Sequence, residues 1–155
     1  MVRIYRDMSN TALSREKIML TPVASILDTD AIILEGDRYL DEGLRMMQER
    51  NSRCILVSHL GEVMGLISET DILFKVAQEN RSPHKVKLRE IMTTPVVAVH
   101  TQTTFEQALA IMSRRKVRQL MVHAYSAVLG IVTKDDLINK INSLMSQLES
   151  SRQAK

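Results

Sequence analysis

The chain has 155 residues, of which 45% are hydrophobic and 25% are charged, a composition typical of a globular protein. Aromatic residues make up only 3%, which disfavours a base-stacking surface for single-stranded nucleic acid. The formal net charge of +3 comes mostly from basic residues near the two ends, so no concentrated nucleic-acid-binding face is predicted.

The compartment is predicted from three features of the chain. Cys54 is the only cysteine, so no disulfide can form within the chain and a reducing environment is favoured. The first ten residues lack the apolar stretch of a secretory signal. No apolar run approaches the roughly 20 residues that a membrane span needs. We therefore expect a cytoplasmic protein with no membrane association.

Residues 1–19 are interpreted as an N-terminal extension, and the first regular elements follow it. A short apolar run bounded by polar residues predicts a buried strand at 32–34, and apolar residues at helical spacing predict a helix through Leu40, Leu44 and Met47. Two further strands are predicted at 54–57 and 63–67, joined by a tight turn. A second helix is expected from Thr70.

The same order returns after a polar linker at 81–87. The predicted elements are a strand at 96–99, a helix through Phe105, Leu109 and Met112, strands at 119–122 and 128–132, and a helix from Lys134. This last helix carries a long apolar stripe formed by Leu137, Ile141, Leu144, Met145 and Leu148. Two partners for the stripe stay open: the apolar residues 18–20 of the N-terminal segment, or a second copy of the chain.

The two halves are an internal repeat. An offset of 65 positions places residues 25–76 on 90–141 without a gap, and eleven of the 52 pairs are identical, among them Gly65/Gly130, Asp71/Asp136 and Lys75/Lys140. Each copy is a β-α-β-β-α unit that needs its neighbour to bury a core. The predicted fold class is α/β (α+β), with a first domain at 20–80, the linker at 81–87, a second domain at 88–148 and a tail at 149–155.

Each copy contains one motif that suggests a binding function. The motifs GLISETD at 65–71 and GIVTKDD at 130–136 place a glycine, a hydroxyl residue and an aspartate between a strand and a helix. One interpretation is a capping box, in which the hydroxyl and the acid only cap the helix. The other is a ligand site, in which the helix N-terminus and the hydroxyl bind a phosphate while the aspartate accepts hydrogen bonds from ribose. The two interpretations are compatible.

The repeat and its two motifs resemble a tandem pair of CBS domains, or Bateman module, over residues 20–148. The run IMTTPVVAV at 91–99 is also similar to the usual opening of such a domain. The resemblance implies two units related by a pseudo-two-fold axis. It further implies a cleft that holds up to two ligands, typically AMP, ADP, ATP or S-adenosylmethionine. A homodimer and a regulated protein partner, which the sequence does not identify, are expected.

Binding residues are carried over by position from this resemblance. Ile32 and Val97 are expected to meet adenine through their backbones. The two sites are lined by matching segments, Ser52, Arg53 and Cys54 in one copy and Val117, Arg118 and Gln119 in the other. Ser68, Thr70 and Asp71, and likewise Thr133, Asp135 and Asp136, are expected at the phosphate and ribose ends. Because Val117 is apolar where the first copy has Ser52, the second site is expected to bind the base better.

No catalytic or metal-binding residues are predicted. The four histidines, at positions 59, 84, 100 and 123, lack the spacing of metal ligands, and no nucleophile is placed beside a base. We therefore expect a non-enzymatic ligand-sensing module. The alternative is a scaffold that dimerises and binds no ligand.

Overall fold

The computed structural model describes residues 14–154, which divide into two compact units. The central unit is formed by residues 28–98. The flanking unit is formed by the described residues before position 28 together with those from position 99 onward. Each unit therefore combines most of one copy of the repeat with the opening residues of the other copy and the segment before them.

The central unit contains a three-stranded sheet covered by helices. Its sheet has the order β1-β2-β3, in which β1 is parallel to β2 and β2 is antiparallel to β3. The elements that belong to this sheet and its two main helices are β1 (Ile32–Glu35), α2 (Leu40–Arg50), β2 (Cys54–His59), β3 (Glu62–Ser68) and α3 (Glu69–Ile72). A π-helical turn, Leu73–Ala77, continues α3, and the short helix α4 (Leu88–Ile91) follows a 3-10 turn at Pro83–Lys85.

The flanking unit repeats this plan with the strand order β4-β5-β6. It opens with α1 (Arg15–Met19) and a 3-10 turn at Val23–Ile26. Its other elements are β4 (Ala98–His100), α5 (Phe105–Arg115), β5 (Gln119–Ala124), β6 (Ala127–Thr133) and α6 (Lys134–Gln153). The two β-α-β-β-α units confirm the predicted fold class. The strand predicted at 96–99 is observed two residues later, at Ala98.

Backbone hydrogen bonds at equivalent positions attach each preceding segment to its unit. In the central unit, Leu40 N–H donates to the Val86 carbonyl, and in the flanking unit Phe105 N–H donates to the Thr21 carbonyl. These two bonds are related by the 65-residue offset. The first N–H groups of a helix have no acceptor within the helix. The carbonyl in each preceding segment therefore accepts a hydrogen bond from one N–H group that would otherwise bond to water.

Each unit has its own apolar core. A cluster in the central unit includes Ile32, Leu40, Ile55 and Ile67, all fully buried between the sheet and α2. In the flanking unit, Phe105, Leu120 and Leu137 are fully buried. Most apolar residues that the sequence placed on strands and helix faces therefore contribute to the cores. The strand predicted as buried at 32–34 is buried on one face only, since Ile33 is 46% exposed.

The apolar stripe of the last helix has a partner within its own unit. Helix α1 packs against α6, and Ile18 is fully buried. Leu137 and Leu148 are buried as well, while the three stripe residues between them are half-buried. Of the two partners that the sequence left open, the N-terminal segment therefore does contact this helix.

Gly65, the first residue of the motif in the central unit, is required by packing. A Cβ at this position would lie 2.9 Å from the Cβ of Met92, which is tighter than real contacts allow. The group that comes close to this glycine is thus a side chain of the same unit. The glycine of this motif is therefore explained by packing within the unit, without a ligand.

Candidate functional site

Strand pairing places the predicted binding segments of each unit side by side. Cys54 pairs with Ser68 across β2 and β3, and Gln119 pairs with Thr133 across β5 and β6. Ser68 and Thr133 are also the N-cap residues of α3 and α6. In both units, the segment before the second strand therefore lies next to a helix N-terminus with a capping hydroxyl.

In the central unit, Asp71 is bound within the protein. It is 9% exposed, and it forms a complete capping box with Ser68, whose backbone N–H donates to Asp71 Oδ2 at 2.9 Å. The Ser68 hydroxyl donates to the same oxygen at 3.1 Å. The other oxygen, Oδ1, accepts from the Thr93 hydroxyl at 2.9 Å and lies 2.8 Å from Lys75 Nζ. The capping interpretation is confirmed for this copy.

These contacts keep Asp71 ionised. Burial raises the pKa of Asp71, but hydrogen bonds from the Lys75 ammonium, the Ser68 N–H and the Thr93 hydroxyl outweigh burial and hold its pKa below the ordinary value. The carboxylate is consequently a full negative charge at neutral pH, balanced by one lysine.

In the flanking unit, Asp136 is far less engaged. The Thr133 hydroxyl donates to Asp136 Oδ2 at 2.7 Å and accepts from the Asp136 N–H at 3.1 Å. Asp136 is exposed, and no other hydrogen bond to its carboxylate occurs among residues 14–154. Beside it, Arg118 donates to Asp135 Oδ1 at 2.8 Å, so the predicted anion-contacting arginine lies at the same helix start.

The remaining predicted site residues differ in exposure. Ile32 is fully buried in the central core and paired with Ile55 in the sheet, so neither its side chain nor its backbone is exposed for the adenine contact that the resemblance implies. Val97 is half-buried and belongs to the same compact unit as Asp71. Thr70 and Arg53 are exposed, whereas the Ser52 hydroxyl donates to the Cys54 carbonyl at 3.1 Å.

Two residues at the central site were not predicted, Lys75 and Thr93. Lys75 is four residues after Asp71, a spacing that brings oppositely charged side chains together on a helix, so the sequence did contain a signal for this pair. Thr93 lies 22 residues further along the chain, in the segment after α4, and bridges to Leu66 in β3. Nothing in the local sequence indicates that contact.

An open groove of about 360 Å³ lies in the central unit beside Ser52. Its lining is formed by α2, α3 and the turn between α2 and β2, with the residues Leu44, Met47, Gln48, Asn51, Ser52, Glu69 and Ile72. The floor is apolar, and the charged group among these residues is the Glu69 carboxylate. Such a groove does not suit a phosphate, because an acidic side chain repels it.

The described part of the chain offers neither a metal site nor a membrane-spanning helix. Within residues 14–154, no three His, Cys, Asp or Glu side chains are grouped so that they could hold a metal ion. The rings of His100 and His123 pack edge to face with their centroids 5.9 Å apart. None of the helices described is both long enough and apolar enough to cross a membrane.

Comparison with known proteins identifies similar domains and folds. The CBS domain profile matches residues 23–78 and 88–143. An uncharacterized protein of Methanocaldococcus jannaschii is 28% identical over 123 residues, covering 76% of this chain and 65% of that protein. The chain spans 65%, 54% and 38% of the lengths of three curated relatives that it matches.

Two solved structures have the same fold. The CBS domain pair of protein MJ0100, in complex with 5′-methylthioadenosine and S-adenosyl-L-methionine, has a TM-score of 0.69 and 24% identity, covering 80% of this chain and 98% of that one. A hexameric CBS-CP12 protein from bloom-forming cyanobacteria has a TM-score of 0.73 and 22% identity, covering 86% of this chain and 83% of that one. At these identities the similarity shows the fold alone.

Proposed function

We propose, since this chain belongs to the CBS domain family and carries two CBS domains in tandem, that it is a regulatory module for adenosine ligands. The ligand is an adenine nucleotide (AMP, ADP or ATP) or an adenosyl compound such as S-adenosylmethionine. Binding changes the shape of the module and thereby signals to a protein partner, in the cytoplasm and without catalysis. The observation that carries this proposal is the pair formed by Thr133 and the exposed Asp136 at the start of α6.

The chemistry of this helix start fits both polar parts of a nucleotide. Asp136 accepts one hydrogen bond from Thr133 and can accept more, so it suits the vicinal hydroxyls of ribose, which donate. A phosphate is better placed beside the exposed guanidinium of Arg118, which also pairs with Asp135, because a cation and the positive end of the helix dipole attract it. The Lys134 and Asp136 N–H groups already donate to the Arg118 carbonyl and the Thr133 hydroxyl. Val117 is half-buried beside this arrangement and offers apolar contact to a base.

A solved structure with the same fold supports the class of ligand. The CBS domain pair of protein MJ0100 was determined with two adenosyl compounds, 5′-methylthioadenosine and S-adenosyl-L-methionine. Both compounds contain adenine and ribose and lack phosphate. A ligand class defined by adenosine therefore covers these compounds and the nucleotides alike.

Ligand binding should raise the melting temperature. A ligand at 100 times its dissociation constant adds about 2.7 kcal/mol to stability, which corresponds to roughly 5–10 °C for a chain of this size. The measurement is thermal unfolding with AMP, ATP and S-adenosylmethionine, each compared with the protein alone. The matched control is 2′,3′-dideoxy-ATP, which lacks the ribose hydroxyls that Asp136 would bind and should shift the transition much less.

The scaffold alternative predicts a different result. A module that only assembles should melt at the same temperature with and without each of these compounds. That outcome, obtained with millimolar ligand, would rule out adenosine-ligand sensing and leave assembly as the function.

We also propose a homodimer, which exposed apolar residues favour. Leu73 and Phe74, in the π-helical turn, are each 51% exposed, and Ile138, at the repeat position of Leu73, is 39% exposed. Because large apolar side chains at equivalent positions of both units face solvent, a second copy is the partner that these surfaces fit. Light scattering at tens of micromolar should give twice the chain mass of 17.6 kDa.

A pair of variants tests whether these residues form the dimer contact. Phe74→Asp should shift the mass towards that of one chain, because it would bury a charge in the contact. Leu60→Asp is the control, since Leu60 lies at a hairpin tip, is 86% exposed and should leave the mass unchanged. A parent chain that scatters as a monomer would contradict the proposal.

A further inference from the structure

The Asp71 carboxylate has no vacant acceptor position in the central unit. An ionised carboxylate has about four lone-pair sites. Oδ2 accepts from the Ser68 N–H and the Ser68 hydroxyl, and Oδ1 accepts from the Thr93 hydroxyl and the Lys75 ammonium. A ribose hydroxyl could bind here only by displacing one of these donors.

The Lys75 ammonium is likewise fully occupied by contacts within the protein. Its ammonium donates to the Ile91 carbonyl at 2.9 Å and to Thr93 Oγ1 at 3.2 Å, and it pairs with Asp71 Oδ1 at 2.8 Å. An ammonium group has three N–H donors, so all of them are used. The donors of the Lys75 ammonium and the acceptor positions of the Asp71 carboxylate are therefore all used by groups of the protein itself.

The equivalent lysine of the flanking unit behaves differently. Lys140 occupies the repeat position of Lys75, four residues after Asp136, yet it is exposed and forms no ion pair among the residues that the structure describes. Lys75 lies in the π-helical turn Leu73–Ala77, whereas Lys140 lies in the regular helix α6. Both copies have the lysine and the aspartate, but the lysine forms an ion pair with the aspartate only in the central unit, among the residues that the structure describes.

We infer, on the basis of the proposed function, that Lys75 and Thr93 close the central site to ribose and that the chain binds one adenosine ligand, at Thr133 and Asp136. The ammonium and the hydroxyl occupy the acceptor positions that the ribose hydroxyls need. The duplicated motif therefore has two roles, a structural one at Asp71 and a ligand-binding one at Asp136.

Isothermal titration of the full chain tests this inference. AMP, ATP and S-adenosylmethionine are each titrated into the parent chain, which should bind about one equivalent. Lys75→Met combined with Thr93→Val frees both lone pairs of Asp71 Oδ1, so this variant should bind about two equivalents. Lys140→Met is the matched control, because it removes the same residue type at the repeat position and should leave binding at one equivalent.

The outcomes separate this inference from the proposed function. Two equivalents in the parent chain would overturn the closed central site while leaving adenosine binding intact. One equivalent in the folded double variant would also overturn it. Absence of binding by all three proteins would overturn the proposed function and the inference together. If the double variant fails to fold, Lys75→Met and Thr93→Val are titrated singly, since each frees one lone pair of Asp71 Oδ1. A weaker second binding event is expected in at least one of them, and its absence from both contradicts the inference.

Discussion

Asp136→Ala is expected to weaken the binding of an adenosine ligand by roughly ten- to a hundredfold, because hydrogen bonds to a charged group contribute about 1.5–3 kcal/mol. Asp71→Ala is expected to change affinity by less than about threefold, since its carboxylate is already saturated by Ser68, Thr93 and Lys75. The affinities of both variants are measured by calorimetric titration beside the parent chain.

Melting curves distinguish a binding role for Asp136 from a capping role. The Asp136 N–H donates to the Thr133 hydroxyl, which is the cap itself and survives the substitution. Loss of the carboxylate should therefore cost at most about 1 kcal/mol of stability. If Asp136→Ala melts earlier but binds AMP and ATP as the parent does, the carboxylate is structural and the site assignment is wrong. Asp136→Asn, which keeps an acceptor oxygen without the charge, should give an intermediate affinity.

Phe105→Ala is expected to lower the free energy of unfolding by about 3–5 kcal/mol, because it removes a large side chain from a packed core. Phe105 is fully buried at the first position of α5, where its backbone N–H also donates to the Thr21 carbonyl. Urea denaturation measures the change, and an unaltered slope with denaturant would show that compactness is retained.

The repeat supplies the matched control for this substitution. Leu40 is fully buried at the equivalent position of the central unit and makes the equivalent backbone bond, to Val86. Phe105→Leu therefore introduces a residue that the same backbone position already accepts, and it should cost no more than about 1.5 kcal/mol. Similar losses for Phe105→Ala and Phe105→Leu would contradict the view that cavity size governs the effect.

Much of the fold follows from local sequence patterns. The spacing of Leu40, Leu44 and Met47, and of Phe105, Leu109 and Met112, predicted the two helices that are observed at Leu40–Arg50 and Phe105–Arg115. Strand positions followed from the apolar runs in the same way. These predictions succeed because backbone periodicity and side-chain burial are determined within a window of a few residues.

The candidate site could be predicted in part. Ser68 and Thr133 were expected at helix starts, and both are N-cap residues that accept a hydrogen bond from the aspartate three positions later. The roles of the other proposed binding residues stay predictions, because a position in a motif does not show what the side chain binds. The structure adds which acceptor atoms are already occupied.

Local patterns were enough to show that the chain contains two copies of one unit, to place most of their strands and helices, and to identify Ser68 and Thr133 as helix caps. Two findings came from the folded chain: the opening of each copy and the segment before it fold with the other copy, and Thr93 and Lys75 saturate Asp71 while Asp136 stays exposed. A hydrogen-bond acceptor is filled by whatever donor the fold brings near it, however distant that donor is along the chain. Thr93 lies 22 residues from Asp71, so no pattern within either motif records that contact.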